Sequence, residues 1–170
     1  MKHAILAALA LLGSMTVSAA NITLTFTAAM QQGAPTNPVT GTIRWQAPST
    51  LDAATAFTSI DLTIGGHSFT VPEIGMDHNQ FGIVIGGTVS GVNNVSSQGA
   101  APDFFIVWLH GAAAPTSFLY ALPGQGSFGS VSFSQYSLTE DSAGMPEPAS
   151  AGLVLAGGLA AAGFARRRRR

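Results

Sequence analysis

Three histidines, two tryptophans and one acidic cluster are the side chains in the body of this chain whose types suit chemistry. Asp77-His78-Asn79 with Glu73 is the most polar group, and Glu73, Asp77 and Asn79 carry the oxygens that a loop-bound Ca²⁺ takes as ligands. Zinc or acid–base chemistry would instead need His67, His78 and His110 to converge. No pair among them has the i, i+4 spacing of a helical ligand pair, and the oxygen set is short and unpatterned. The cluster therefore reads as a solvated loop between strands, with no metal or cofactor assigned. His110 closes an apolar run, as a residue at a strand edge does. Trp45 and Trp108 offer faces on which a sugar ring can stack. Trp45 shares a face with Ile43 and Trp108 lies inside a continuous apolar run, so core packing is the expectation for both. Gly124-Gln-Gly126-Ser-Phe-Gly129 spells a dinucleotide-binding loop, which requires a following helix. Ser130 to Leu138 alternates like a strand instead, so a hairpin loop is expected. No G-x-S-x-G elbow occurs, and the acceptor-like Asn21-Ile-Thr23 and Asn94-Val-Ser96 are chance matches.

The elements that would position these residues have a period of two. Ile22, Leu24 and Phe26 alternate with threonines, Ile43 and Trp45 with Thr42, Arg44 and Gln46, and Ile60, Leu62 and Ile64 with Asp61 and Thr63. Such alternation marks half-buried strands. Phe81–Ile85, Ser117–Leu122 and Val131–Leu138 continue the series, and Phe104–Leu109 reads as a strand buried on both faces. Gly65-Gly66 and Gly86-Gly87 both read as two-residue hairpin turns, the second leading into a strand at Thr88–Val92. Asp52–Ala56 allows one helical turn at most, and the prolines fall between runs, where they spare the ladders. Seven to nine antiparallel strands in about 125 residues predict an all-β fold, a jelly-roll-like β-sandwich over residues 21–139, with a closed barrel as runner-up.

Composition removes several function classes. Between Ala20 and Met145 the one cation, Arg44, stands against seven carboxylates, a formal charge of −6. That sign repels phosphate backbones and sets nucleic acid aside as a partner. The body holds no lysine, which excludes Schiff-base and Ser-Lys chemistry, and the chain has no cysteine, so neither disulfide nor thiolate supports it. No catalytic residue is assigned, and an enzyme is not expected.

The two ends carry clearer patterns. Lys2-His3, the apolar Ala4–Leu12 and the small residues Gly13–Ala20 form a signal peptide over 1–20, with cleavage beside Ala19 or Ala20. At the other end, residues 140–145 form a linker without periodicity. The uncharged Ala149–Ala165 then spans roughly 26 Å as a helix, the short end of what crosses a bilayer. Arg166, Arg167, Arg168, Arg169 and Arg170 follow and would hold the C-terminus on the cytoplasmic side. A small-residue helix-dimer face at Gly158–Ala162 is the alternative use of this run.

The order Pro146-Glu147-Pro148-Ala149-Ser150, apolar run with Gly158-Leu159, and arginine cluster resembles the PEP-CTERM sorting signal of Gram-negative bacteria. Met145 departs from it, standing where a small aliphatic residue is usual. A rhombosortase-type tail fits less well, because Gly157-Gly158 lies inside the apolar run, and no Leu-Pro-x-Thr-Gly motif is present. The resemblance covers the tail and signal peptide alone. It implies an exosortase-type processing enzyme as partner, passage through the inner membrane on a transmembrane helix, and a destination at the cell surface or in the extracellular matrix. Proteins with such tails are associated with exopolysaccharide and biofilm, so a structural or adhesive role is expected for the body. A carbohydrate- or Ca²⁺-binding lectin-like module is the alternative, and a secreted hydrolase ranks below both.

Overall fold

The computed structural model describes residues 19–141. The expected signal sequence up to residue 18, the segment 142–145, the motif at 146–150, the apolar run 149–165 and the arginines 166–170 lie outside the described residues. Within them, no helix is long and apolar enough to cross a membrane.

Alternating threonines and large apolar residues build β1 (Ala20–Met30), every second residue of which is buried. It pairs antiparallel with β2 (Val39–Ala47), Ile22 opposite Trp45 and Leu24 opposite Ile43. β3 (Ala56–Ile64) and the two-residue β4 (His67–Ser68) continue outward. A single 3-10 turn at Val71–Glu73 leads into β5 (Ile74–Asn79), then β6 (Gly82–Gly87), β7 (Asp103–Leu109), β8 (Ser117–Leu122) and β9 (Gly126–Asp141). All nine strands form one antiparallel sheet in the order β4-β3-β2-β1-β9-β8-β7-β6-β5. Every neighbour except the β1–β9 pair is consecutive in sequence, so the sheet consists of two meanders joined through the first and last strands, with β4 and β5 at its open ends.

The all-β, antiparallel expectation holds, but the jelly-roll sandwich does not. One sheet is rolled into a half-barrel, and no connection crosses as a jelly roll requires. The roll is made by β9: Gly126–Gly129 pairs with β8, while Ser130–Asp141 pairs with β1 through two register shifts. Bulges of this kind bend a strand and sharpen its twist, which carries one long strand from one wing of the sheet to the other. The wings face each other across one core. Aromatic rings bridge it, Phe69 to Phe104 at 4.8 Å, Phe104 to Phe118 at 6.0 Å and Phe118 to Phe26 at 5.3 Å. Phe26 fits because Gly41 across the pair has no side chain: a Cβ there would stand 2.8 Å from the ring.

Some local expectations hold and others change. Gly65-Gly66 does make the tight β3–β4 turn, both glycines having positive φ. Gly86-Gly87, by contrast, is the end of β6 rather than a turn, and Thr88–Val92 is not a strand. Gly75 and Gly86 are cross-strand partners, and Val92 lies over both, with its carbonyl 2.4 Å from where a Gly86 Cβ would be. The 88–102 segment thus covers the outer face of β5 and β6, and glycine is required by close approach. Pairing of β7 runs to β6 and β8, but its outer residues Phe105 and Val107 are only half-buried. Asp77-His78-Asn79, expected as loop, is the second half of the edge strand β5, and Asp52–Ala56, which allowed one helical turn at most, forms none. Glu140 and Asp141, placed with the linker by sequence, belong to β9 and pair with Ile22 and Asn21.

Candidate functional site

Strand directions place the β1–β2 loop, the β3–β4 turn, the segment before β7 and the β8–β9 turn at one end of the half-barrel. There they outline a shallow groove of about 600 Å³, lined by Pro35, Gly65, Gly66, His67, Pro102, Leu122, Pro123 and Gln125. Its walls are pinned by named bonds. The buried Tyr120 hydroxyl donates to the Thr36 carbonyl (3.1 Å) and accepts from the Thr36 amide (3.0 Å). Thr36 Oγ1 in turn accepts the Gly65 amide at 3.0 Å. The β1–β2 loop is thereby tied to both wings, and Leu122 packs against Gly65, where a Cβ would come within 2.6 Å of its Cδ2.

His67 is the groove's one titratable side chain. Its Nε2 lies 3.0 Å from Glu73 Oε1, with both side chains about one-third exposed, and its ring stands edge-on to Phe69 at 4.8 Å. Thr70-Val-Pro-Glu73 has capping-box spacing. The Thr70 hydroxyl and amide each donate to Glu73 Oε2 at 2.7 Å. The Thr70 hydroxyl and amide, with the His67 imidazole adding to them, hold the Glu73 carboxyl below its usual value against an opposing desolvation. When the neutral ring donates Nε2–H to this carboxylate, Nδ1 is left as an acceptor, so the groove offers one hydrogen-bonding imidazole among prolines. No serine or threonine hydroxyl bonds to His67 among the described residues.

The other sequence candidates do not meet there. Glu73 serves His67 and Thr70; Asp77, on β5, accepts from the Asn93 side chain; Asn79 Oδ1 accepts the Phe81 amide across the β5–β6 turn at 2.8 Å. Among the described residues no group of three or more His, Asp and Glu side chains converges as a metal site. His78 and His110 do approach each other, ring centres 5.9 Å apart, at the end of the half-barrel opposite the groove, beside the exposed Phe81. Trp45 is fully buried and Trp108 nearly so, its Nε1 donating to the Ala112 carbonyl at 2.9 Å. Neither presents a stacking platform. The G-x-G-x-x-G stretch is the β8–β9 turn and the start of β9, as expected for a hairpin.

Sequence reasoning missed three residues that shape the molecule. Asp103 is wholly buried, its carboxylate accepting the Ser90 and Phe104 amides at 3.0 Å each, which fastens the 88–102 cover. Tyr120 reads as ordinary strand sequence, and only the fold brings Thr36 to its hydroxyl. Thr70 was legible, since its spacing to Glu73 and Pro72 between them signal a turn start.

Ala20 opens β1 and Asp141 closes β9, side by side at the end opposite the groove. No family model matches the chain, and no curated protein or solved structure is significantly similar to it.

Proposed function

We propose that this is an exported, non-enzymatic bacterial surface protein, carried to the cell surface or extracellular matrix by an exosortase-type system, with a structural or adhesive body. The observation that carries the reading is the ordered tail Pro146-Glu147-Pro148, apolar 149–165 and Arg166 to Arg170, behind an N-terminal signal-peptide pattern. The fold is compatible with it in two ways. Both chain ends leave one end of the body, so a tail engaged at the membrane leaves the groove end pointing away. The domain is also held by an apolar core and backbone ladders, without disulfides, as an acidic protein bound for a hydrated polysaccharide matrix needs to be.

Intact mass of the mature protein from its native host, fraction by fraction, tests this. A C-terminus near Pro146 in the outer or extracellular fraction supports processing, and surplus mass reports an attached group. A chain ending at Arg170 and found only in the inner membrane overturns it in favour of a single-pass anchor.

The groove favours a second reading, a glycan-binding module in which His67 Nδ1 and Gln125 receive sugar hydroxyls. The Trp-platform and Asp77-loop versions of that idea lose their support, because both indoles are buried and Asp77 is engaged by Asn93. Glycan-array binding that His67→Ala removes would establish it; binding indifferent to His67 would not.

A further inference from the structure

β9 is a long strand with one open side. Gly126–Gly129 pairs with β8, and the Gly129 carbonyl also accepts the Gln31 amide from the segment after β1. From Val131 to Asp141 the strand pairs with β1 alone, and among the described residues no strand occupies its other edge. In an antiparallel ladder about every second residue directs its N–H and C=O away from a given neighbour, so this edge presents a row of free donors and acceptors. It is reachable: all residues from Val131 to Asp141 except Phe133 and Leu138 are exposed, Val131 at 69% and Tyr136 at 44%.

Two other edges exist, and both are blunted. β5 is short, and the sulfur of its Met76 receives the Ala54 amide at 3.2 Å. β3 carries Asp61, and its last residues are covered by β4. Of the usual protections against edge pairing, β9 has two bulges, both before Gln135; it holds no lysine and no proline, and its only charges are Glu140 and Asp141 at one end. That asymmetry selects an arrangement. Parallel self-pairing would set Glu140 against Glu140 and Asp141 against Asp141. Antiparallel pairing about a two-fold axis near Tyr136 sets them against the uncharged Ser132 and Val131 of the other copy.

We propose that the open edge of β9 is the interface for a second copy of this chain, joined antiparallel about a two-fold axis to make one continuous sheet across both. The contact is isologous, so it closes at the dimer. It does not depend on the tail or on the sorting assignment.

The chain lacks cysteine, so single introduced thiols report the contact cleanly. The full chain is purified in detergent as Ser137→Cys, with Thr58→Cys on β3 as control, and treated with a short bis-maleimide. The expected result is covalent dimer from Ser137→Cys and little from Thr58→Cys, with one discrete dimer in sedimentation. Adding Gln135→Lys and Thr139→Lys, both exposed, should lower cross-linking about tenfold by charging the edge, while the far-UV β signal stays. A monomeric Ser137→Cys chain, or equal cross-linking at both sites, overturns the proposal. So does cross-linking that ignores the two lysines. An open-ended series of larger species overturns the two-fold form, since it marks β9 docking on a different edge.

Discussion

β1 and β9 lie side by side over ten register pairs and meet opposite environments. Phe26 of β1 is fully buried, whereas its register partner Tyr136 of β9 is 44% exposed. Both strands alternate in sequence. The difference is coverage: β1 has a neighbour on each edge and the opposite wing over its inner face, while β9 spends its first quarter against β8 and leaves most of the rest with one open edge. Pairing supplies backbone partners, but burial needs a second layer.

The sharpest test of that contrast is the register pair itself. Phe26→Ala is expected to cost about 3–5 kcal/mol in chemical unfolding, as for large-to-small changes in a packed core, and Tyr136→Ala less than about 1 kcal/mol. Equal losses would break the comparison, for β9 would then be as much core as β1. A second test asks whether partnered polar groups, rather than burial alone, set the energetics. Trp45 is buried with its Nε1 unpartnered, whereas the Trp108 Nε1 donates to Ala112. Trp108→Phe should therefore exceed Trp45→Phe in destabilisation by about 1 kcal/mol, measured from the same unfolding curves.

A smaller effect is expected at Glu73, at the groove end. Its carboxyl titrates lower in the folded chain than the ordinary value of 4.5. The stabilisation is thus present above that value and is lost as pH falls through the lowered one. Glu73→Gln should flatten the acid limb of stability against pH; an unchanged limb would show that other carboxylates carry it. The smallest effect belongs to β9's outer face, where Ser137→Ala should stay within about 0.5 kcal/mol. In dilute solution, amide exchange should alternate fast and slow along 131–141 and be uniformly slow along β1. Uniform protection of β9 at every concentration would mean that its edge is already covered within one chain.

Much of the fold was legible because its strands are amphipathic. Residues such as Ile22, Leu24, Ile43 and Trp45 declare a buried face through period two alone, and Gly65-Gly66 declares its turn through the left-handed backbone that glycine tolerates. The second glycine pair was misread for a physical reason. Gly86-Gly87 has the composition of a turn, but what demands glycine there is Val92 and Asp103 arriving from elsewhere in the chain. Likewise, Asp77-His78-Asn79 is polar enough for a loop, yet β5 is an edge strand and can expose these side chains while its backbone stays laddered. The groove was legible only in part, through His67 and the Thr70–Glu73 spacing.

The amino-acid sequence by itself determined the all-β class, the acidic cysteine-free body, the burial of both tryptophans, and the ordered motifs at the two ends. These follow from composition and short-range periodicity, which act over a few residues. Only the tertiary structure decided that nine strands make one rolled sheet rather than two stacked ones. It also decided that Tyr120 clamps Thr36, that His78 finds His110 while Glu73 finds His67, and that β9 keeps an open edge. Each of these depends on which distant segments meet, and a strand's own alternation carries its faces but not the identity of what covers them.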